Sequence, residues 1–220
     1  MYPATMTIRA VCFDLDDTLF AYRKYARAGL RAAADRLEAR TGEEVHEELL
    51  RLYFTEGITD GTFDQLLDRH DRNSKLVDDL VDAYHDANTP LSPYPETEPV
   101  LSTLSEGYRL GLITDGRGGH AKLRRLGIRS YFDAVVVTPT IESSKRESEP
   151  FERVLSTLSV SADAAVYVGD DPRFDFENPN HLGMTTVRLR RGRYSDLEPK
   201  TDAAVPDREI PHLEALLDIL

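Results

Sequence analysis

Residues 13–19 read Phe13-Asp14-Leu15-Asp16-Asp17-Thr18-Leu19, placing three carboxylates within four positions. They follow residues 8–13, a run of β-formers that predicts a buried strand. Crowding charge of one sign at a strand end is costly unless something positive sits there. Asp14 and Asp16, two apart, face the same side of an extended chain. One carboxylate can then attack an electrophile while the other handles a proton, and a divalent cation can hold the cluster together.

Three further polar segments follow predicted strands. Thr114-Asp115-Gly116 comes after residues 110–113. Lys145 lies in the loop beyond residues 134–137. Gly169-Asp170-Asp171, with Asp175 five positions past Asp170, comes after residues 164–168. In a parallel sheet such ends share one edge, where open α/β sheets build their sites. Together they supply a nucleophile, a neutral hydrogen-bond donor, one cation and a second carboxylate group, an inventory that suits phosphoryl transfer.

In that chemistry Asp14 attacks phosphorus, and Asp16 protonates the leaving alkoxide before activating the hydrolytic water. Lys145 provides a point charge for both Asp14 and the phosphate. The Thr114 hydroxyl and the backbone N–H groups near Asp115 and Gly116 bind the non-bridging oxygens. A carboxylate nucleophile needs counter-charge to approach a phosphate dianion. Mg²⁺ fits, as a hard ion held by few carboxylates together with substrate phosphate.

The elements that must position these groups are legible as a pattern of strands and helices. Periodicity predicts helices over residues 22–39, 43–53, 63–71 and 74–88, the third capped by the turn Asp60-Gly61-Thr62. Thr89-Pro90-Leu91-Ser92-Pro93-Tyr94-Pro95 is a stiff connection that cannot be helical. Beyond it helices are expected at residues 98–105, 121–126, 149–158 and 175–182, alternating with strands at 109–113, 134–137, 164–168 and 185–189. An amphipathic helix over residues 210–220 closes the chain. The expected fold class is α/β: a Rossmann-like parallel sheet core over residues 1–20 and 90–220, with an inserted all-helical cap domain over residues 21–89.

With 220 residues, 40% hydrophobic and 30% charged, the composition is that of a soluble globular protein. No apolar run approaches the roughly 20 residues of a membrane span, and residues 1–5 carry neither the basic nor the apolar part of a signal peptide. A net charge of −12 argues against a nucleic-acid surface. Five of the 27 basic residues are lysine, and the acidic excess fits either a high-salt cytoplasm or an ordinary acidic enzyme. Cys12 stands alone, which excludes an intrachain disulfide and makes it a small buried hydrophobe in a cytoplasmic protein. The six scattered histidines form no zinc pattern. His120 and Arg117 lie near enough to Thr114 to reach a substrate, and Tyr22, Arg23, Lys24 and Arg27 follow the first acidic cluster. Asp17 is read as holding its turn or pairing with a basic neighbour, and Thr18 as bonding the backbone of its own loop.

The four segments, in this order and spacing, resemble the four motifs of the haloacid dehalogenase superfamily. Residues 13–19 look like the first, Leu112-Ile113-Thr114-Asp115-Gly116 the second, Lys145 the third, and Val168-Gly169-Asp170-Asp171 with Asp175 the fourth. The resemblance implies a helical cap between the first two motifs. It also implies Mg²⁺ bound by Asp14, the backbone carbonyl of Asp16, and Asp170, with Asp175 behind them or ligating through water. Asp171 stands where Ser or Thr is common. Arg146 replaces the proline often found after the motif-three lysine, which is expected to loosen that loop. Asn178-Pro179 replaces a usual Gly-Ala pair, a change expected to affect helix packing.

Relatives that dehalogenate haloacids lack a carboxylate at the position of Asp16, so phosphate ester chemistry is favoured. The expectation is a Mg²⁺-dependent phosphatase acting on a small phosphorylated metabolite through an aspartyl phosphate, with the cap closing over the site. A phosphomutase and a non-catalytic phosphometabolite-binding regulator stay open, and neither the ester nor the oligomeric state is readable. A receiver domain would lack the cap.

Overall fold

The computed structural model describes residues 7–220, so the reading of residues 1–5 lies outside it. In chain order the elements are β1 (Ala10–Phe13), α1 (Tyr22–Thr41), α2 (His46–Phe54), α3 (Thr62–Arg69), α4 (Val77–Asp86), α5 (Thr97–Ser105) and β2 (Arg109–Thr114). They continue with α6 (Gly119–Arg125), β3 (Ala134–Val137), α7 (Glu149–Leu158), β4 (Ala165–Gly169), α8 (Glu177–Leu182), β5 (Thr185–Leu189) and β6 (Arg208–Ile210). The chain divides into two compact units, one resuming after Tyr22 at Leu91–Leu220, the other spanning Arg23–Pro90. No described helix is long and apolar enough to cross a membrane.

The first unit is an α/β fold of Rossmann type. Its sheet runs β3-β2-β1-β4-β5-β6, with every pairing parallel. β1 lies between β2 and β4, so Phe13 pairs with Leu112 and Val168, and the three loops that follow start side by side. Side chains alternate across the sheet. Ala10 and Cys12 join Ile113, Ala165 and Tyr167 in a core packed on Phe151, Val154 and Leu158 of α7. Burial pushes the Cys12 thiol up to about 12, as its apolar setting demands.

The helical unit holds together by its own packing. Tyr25, Leu30, Ala33 and Leu37 form the buried stripe of α1. Tyr84 packs edge-on against Tyr25 and Phe63, at centroid distances of 5.6 and 6.2 Å. Gly29 makes room for that ring, since a Cβ there would meet Tyr84 at 2.5 Å. Arg23 and Arg27 lie over the Phe54 ring. Two local readings change. Asp60 does not cap α3; Gly61, in the left-handed region at φ 68°, starts it without a side-chain bond. Residues 74–76 form a separate 3₁₀ turn, with Asn73 accepting from the Lys75 N–H, before α4 begins.

The largest correction is at the C-terminus. Residues 210–220 are not one helix: Ile210 ends β6, and a 3₁₀ segment occupies Leu213–Asp218. Pro211 explains the break, because the residue before a proline is pushed toward extended backbone. β6 escaped notice because it has three residues, two of them exposed and charged. Its Glu209 pairs with Arg188, fully buried in β5, at 3.3 Å.

Gly111 tests the core directly. A Cβ there would lie 2.7 Å from Cys12 Sγ and 2.8 Å from Val154 Cγ2, with no room to retreat between β1 and α7. Gly111→Ala is expected to cost about 1–3 kcal/mol through overpacking, read as a lowered urea midpoint at unchanged m-value; a midpoint equal to that of the native sequence would contradict the packing described.

Candidate active site

β1 delivers Asp14 to the carboxyl edge of the sheet, and the Asp14 N–H donates to Val168 O at 2.8 Å, extending the β1–β4 ladder into the loop. The next residues turn sharply. Asp17 takes φ 64°, and Asp17 N–H donates to Phe20 O at 2.9 Å. Asp16 is thereby carried to the same mouth as Asp14, and both line a cavity of about 170 Å³. Thr114, Asp115, Gly116, Lys145, Asp170 and Asp175 line it as well. All the site residues expected from sequence therefore meet in one place.

Lys145 is 4% exposed, and its ammonium donates to Asp14 Oδ1 and, at 2.7 Å, to Asp175 Oδ1. Burial alone pulls this ammonium down, but the Asp14 and Asp175 carboxylates outweigh it and hold the lysine well above its ordinary value. Burial raises Asp14 to about 7 against the pull of Lys145, and repulsion from Asp175 and Asp16 adds to it. Asp170 is held well above the carboxylate range by burial first, then by Asp14 and Asp175. Carboxylate oxygens of Asp14, Asp170 and Asp175 lie within 4.8 Å of one another. One ammonium does not neutralise three such acids.

This donor set fits a hard divalent cation. Asp170 Oδ1 accepts from Thr18 Oγ1 at 3.1 Å, but Asp170 Oδ2 is buried with no hydrogen-bond partner. A buried carboxylate oxygen without a donor is costly unless a cation faces it. Asp175, by contrast, has both oxygens engaged. Oδ1 accepts from Lys145 and from Tyr167 at 3.1 Å, while Oδ2 accepts from the N–H groups of Asp170 and Asp171 at 3.1 and 2.9 Å. It holds the ammonium and the turn after β4 in place. Gly169 leaves space for it, since a Cβ there would run into the Asp175 carboxylate.

Several residues act differently from the sequence reading. The Thr18 hydroxyl bonds Asp170, not the backbone of its own loop. Asp115, expected to serve through its backbone, also has a side-chain part: its Oδ1 accepts from Thr138 Oγ1 at 2.6 Å and from the Lys145 N–H at 3.0 Å, tying the β2 and β3 loops together. The lysine loop, which lacks the proline, is tied instead by Asn178, whose Nδ2 donates to Lys145 O at 2.8 Å. That bond gives Asn178 a part in the site beyond helix packing. Asp171 accepts from the Arg173 N–H at 3.0 Å and pairs with its guanidinium at 2.8 Å. His120 and Arg117 are exposed and do not line the cavity.

Sequence reasoning missed two groups. The first is residues 190–194, Arg190-Arg191-Gly192-Arg193-Tyr194, which follow β5 and so occupy a fifth strand end. Arg193 Nε donates to Asp17 Oδ2 at 2.6 Å, supplying the basic neighbour of Asp17, and its guanidinium stacks over Tyr22 and Tyr194. Arg191 donates to the carbonyls of Asp17 and Thr18 and pairs with Glu96. Gly192 allows the approach, at φ 75° and with a Cβ position 2.5 Å from Asp17 Cβ. The second is Lys122 on α6, whose ammonium reaches both oxygens of Asp16 at 2.8 Å. The available signal was its place in the apolar stripe with Gly119, Leu123 and Leu126.

Comparison with known proteins agrees with this architecture. A protein 40% identical, with 97% of each chain covered, is the glyceraldehyde 3-phosphate phosphatase of Methanopyrus kandleri. The ribulose-1,5-bisphosphate 5-phosphatase of Halopiger xanaduensis is 30% identical over 92% of this chain and 93% of its own. Among solved structures, a HAD phosphatase from Thermococcus onnurineus superposes with a TM-score of 0.69 at 27% identity, covering 96% of this chain and 97% of the other. The family model for haloacid dehalogenase-like hydrolases matches residues 11–189, a span that begins in β1, ends with β5 and takes in each strand-end loop described above except that after β5, and the chain belongs to that family.

Proposed function

We propose that this protein is a Mg²⁺-dependent cytoplasmic phosphatase that hydrolyses a small phosphorylated metabolite through an aspartyl phosphate. The observation that carries the reading is the convergence of Asp14, Asp16, Thr114 and Lys145 on one small cavity. Asp14 is the nucleophile. Its oxygen forms a bond to phosphorus as the bond from phosphorus to the leaving oxygen breaks, and Asp16 gives its proton to that oxygen. A water then attacks the aspartyl phosphate and loses its proton to Asp16. The phosphorus–Asp14 bond breaks, and inorganic phosphate departs with Asp14 again a carboxylate and Asp16 again protonated.

Thr114 Oγ1, which accepts from the Gly116 N–H at 3.2 Å, marks the phosphate pocket together with the backbone of Asp115 and Gly116. Lys145 holds Asp14 in line and offsets charge on the transferring group. Asp14, the Asp16 carbonyl and Asp170 would hold Mg²⁺, with Asp175 fixing their surroundings. When bound, the ion supplies the positive charge that lets a carboxylate approach a phosphate dianion. Asp16 matters because an alkoxide is a poor leaving group without a proton. The buried single thiol is in keeping with the cytoplasm.

The relatives named as glyceraldehyde 3-phosphate and ribulose-1,5-bisphosphate phosphatases direct the choice of ester. Glyceraldehyde 3-phosphate is the first candidate, because the more similar relative carries that name. A panel holding both esters, phosphoglycolate and glycerol phosphate, ranked by kcat/KM with phosphate release as the signal, tests the assignment. Isomerisation without phosphate release would point to a mutase instead.

Two outcomes are expected. Asp14→Asn should reduce turnover of every ester to background while the far-ultraviolet spectrum is unchanged; more than trace activity in freshly purified protein would overturn the mechanism. Mg²⁺ at about 100 times its dissociation constant should raise Tm by about 5–10 °C over protein in chelator. Asp170→Asn should remove most of that increment, and an increment of full size in this variant would exclude Asp170 as a ligand.

A further inference from the structure

Lys122 is 2% exposed, on the face of α6 that carries Leu123 and Leu126 into the core. Packing alone would be better served there by an apolar side chain, because a buried ion pair is a poor source of stability. The ammonium is instead aimed at one group. It donates to both Asp16 oxygens at 2.8 Å, across 106 positions of sequence. The rings of Tyr22 and Phe20 stand 5.1 and 5.8 Å from it, enclosing the pair in apolar surface.

Gly116 makes the same point independently. A Cβ on it would fall 2.7 Å from Asp16 Oδ2, 2.9 Å from Lys122 Nζ and 3.3 Å from Thr114 Oγ1. The ion pair thus occupies the space beside the phosphate pocket that any larger residue would fill. Asp16 itself is on a loop whose only regular pairing among the described residues is the bridge to Phe20. Without an external hold its carboxylate could turn away from the mouth of the site.

From this geometry we infer that Lys122 is the positioning residue for Asp16, setting the carboxylate where it can pass a proton to the leaving oxygen. The inference rests on the phosphatase reading and goes beyond it, since Lys122 is not among the residues that line the cavity and reaches it through Asp16. By spanning both oxygens the ammonium fixes the plane in which the Asp16 carboxylate meets the mouth of the site. A compact ammonium suits this better than a guanidinium, whose planar fork would need more room than the turn provides.

The test compares two esters. With glycerol phosphate the leaving alkoxide needs the proton. With p-nitrophenyl phosphate the phenolate leaves without it. In both cases kcat/KM reports the step in which the leaving group departs. Lys122→Met is expected to lower kcat/KM for glycerol phosphate by about 10²-fold, the low end of general acid contributions, and that for p-nitrophenyl phosphate by less than about 5-fold. Asp16→Asn should show the same split, and the double variant should be no worse than Asp16→Asn alone.

Equal losses on both esters, or losses that multiply in the double variant, would overturn the inference. If Lys122→Met does not fold by circular dichroism, Lys122→Arg decides. A loss confined to glycerol phosphate supports positioning, whereas no loss, or an equal loss on both esters, refutes it. Asp14→Asn separates the two levels of the argument. Retained turnover there defeats the phosphatase reading itself, while inactive Asp14→Asn with an unsplit Lys122→Met defeats only the role of Lys122.

Discussion

Repulsion among buried acids governs this site. Asp14, Asp170 and Asp175 bring oxygens within 4.8 Å of one another in nearly solvent-free surroundings. Two unit charges at that separation repel by about 3 kcal/mol at an effective dielectric of about 20. Three such repulsions would rival the whole stability of a typical domain, about 5–15 kcal/mol. The acids must therefore share protons, or share cations, or be pulled apart. The fold does not pull them apart, since β1 and β4 are neighbours in register and Asp175 is fixed by four donors. Lys145 offsets one charge, and the partnerless Asp170 Oδ2 marks where the remaining counter-charge belongs.

Cation type follows position. The chain has only five lysines, yet two of them, Lys122 and Lys145, are buried with their ammonium groups on acids of the site. The arginines serve the rim. Arg193 and Arg173 take Asp17 and Asp171, and their wider guanidiniums stack on Tyr22 and Tyr194. A small, dense charge fits where a carboxylate must be held inside the cavity wall, and a planar one fits where aromatic faces are available. Asp14, Asp16 and Asp175 thus meet ammonium groups, while Asp17 and Asp171 meet guanidiniums.

The sheet was legible because its strands are short apolar runs, each ended by a change to polar residues, and the four acidic or basic loops stood out at those ends. What hid were features whose local sequence carries no period. β6 is short, charged and followed by Pro211, so its three residues show neither alternation nor apolar content. The loop after β5 was passed over although the rule that located the other four applies to it equally. Asp115 and Asn178 look like ordinary loop residues, and their roles exist only as bonds to a segment far along the chain. Lys122 was concealed by its surroundings: within an amphipathic helix a lone lysine reads as solvated, and only the identity of the opposite side chain gives it meaning.

Asp16 and Lys122 also bear on why one family scaffold can serve different bond cleavages. A halide departs as a stable anion, so a site that expels it needs a nucleophile and nothing to donate a proton. An alkoxide departs poorly unless protonated, and the barrier falls only if the acid is already in place. On the proposed reading the first requirement is met by Asp14, at the end of the central strand β1. The second requires a carboxylate on the turn after that strand, a base to fix it, and a residue without a side chain where the two meet. In this chain Asp16, Lys122 and Gly116 answer those three needs, drawn from the loops after β1 and β2 and from the helix between β2 and β3. On the proposed reading, protonation of the leaving oxygen rests on that trio, while bond formation to phosphorus still requires Asp14.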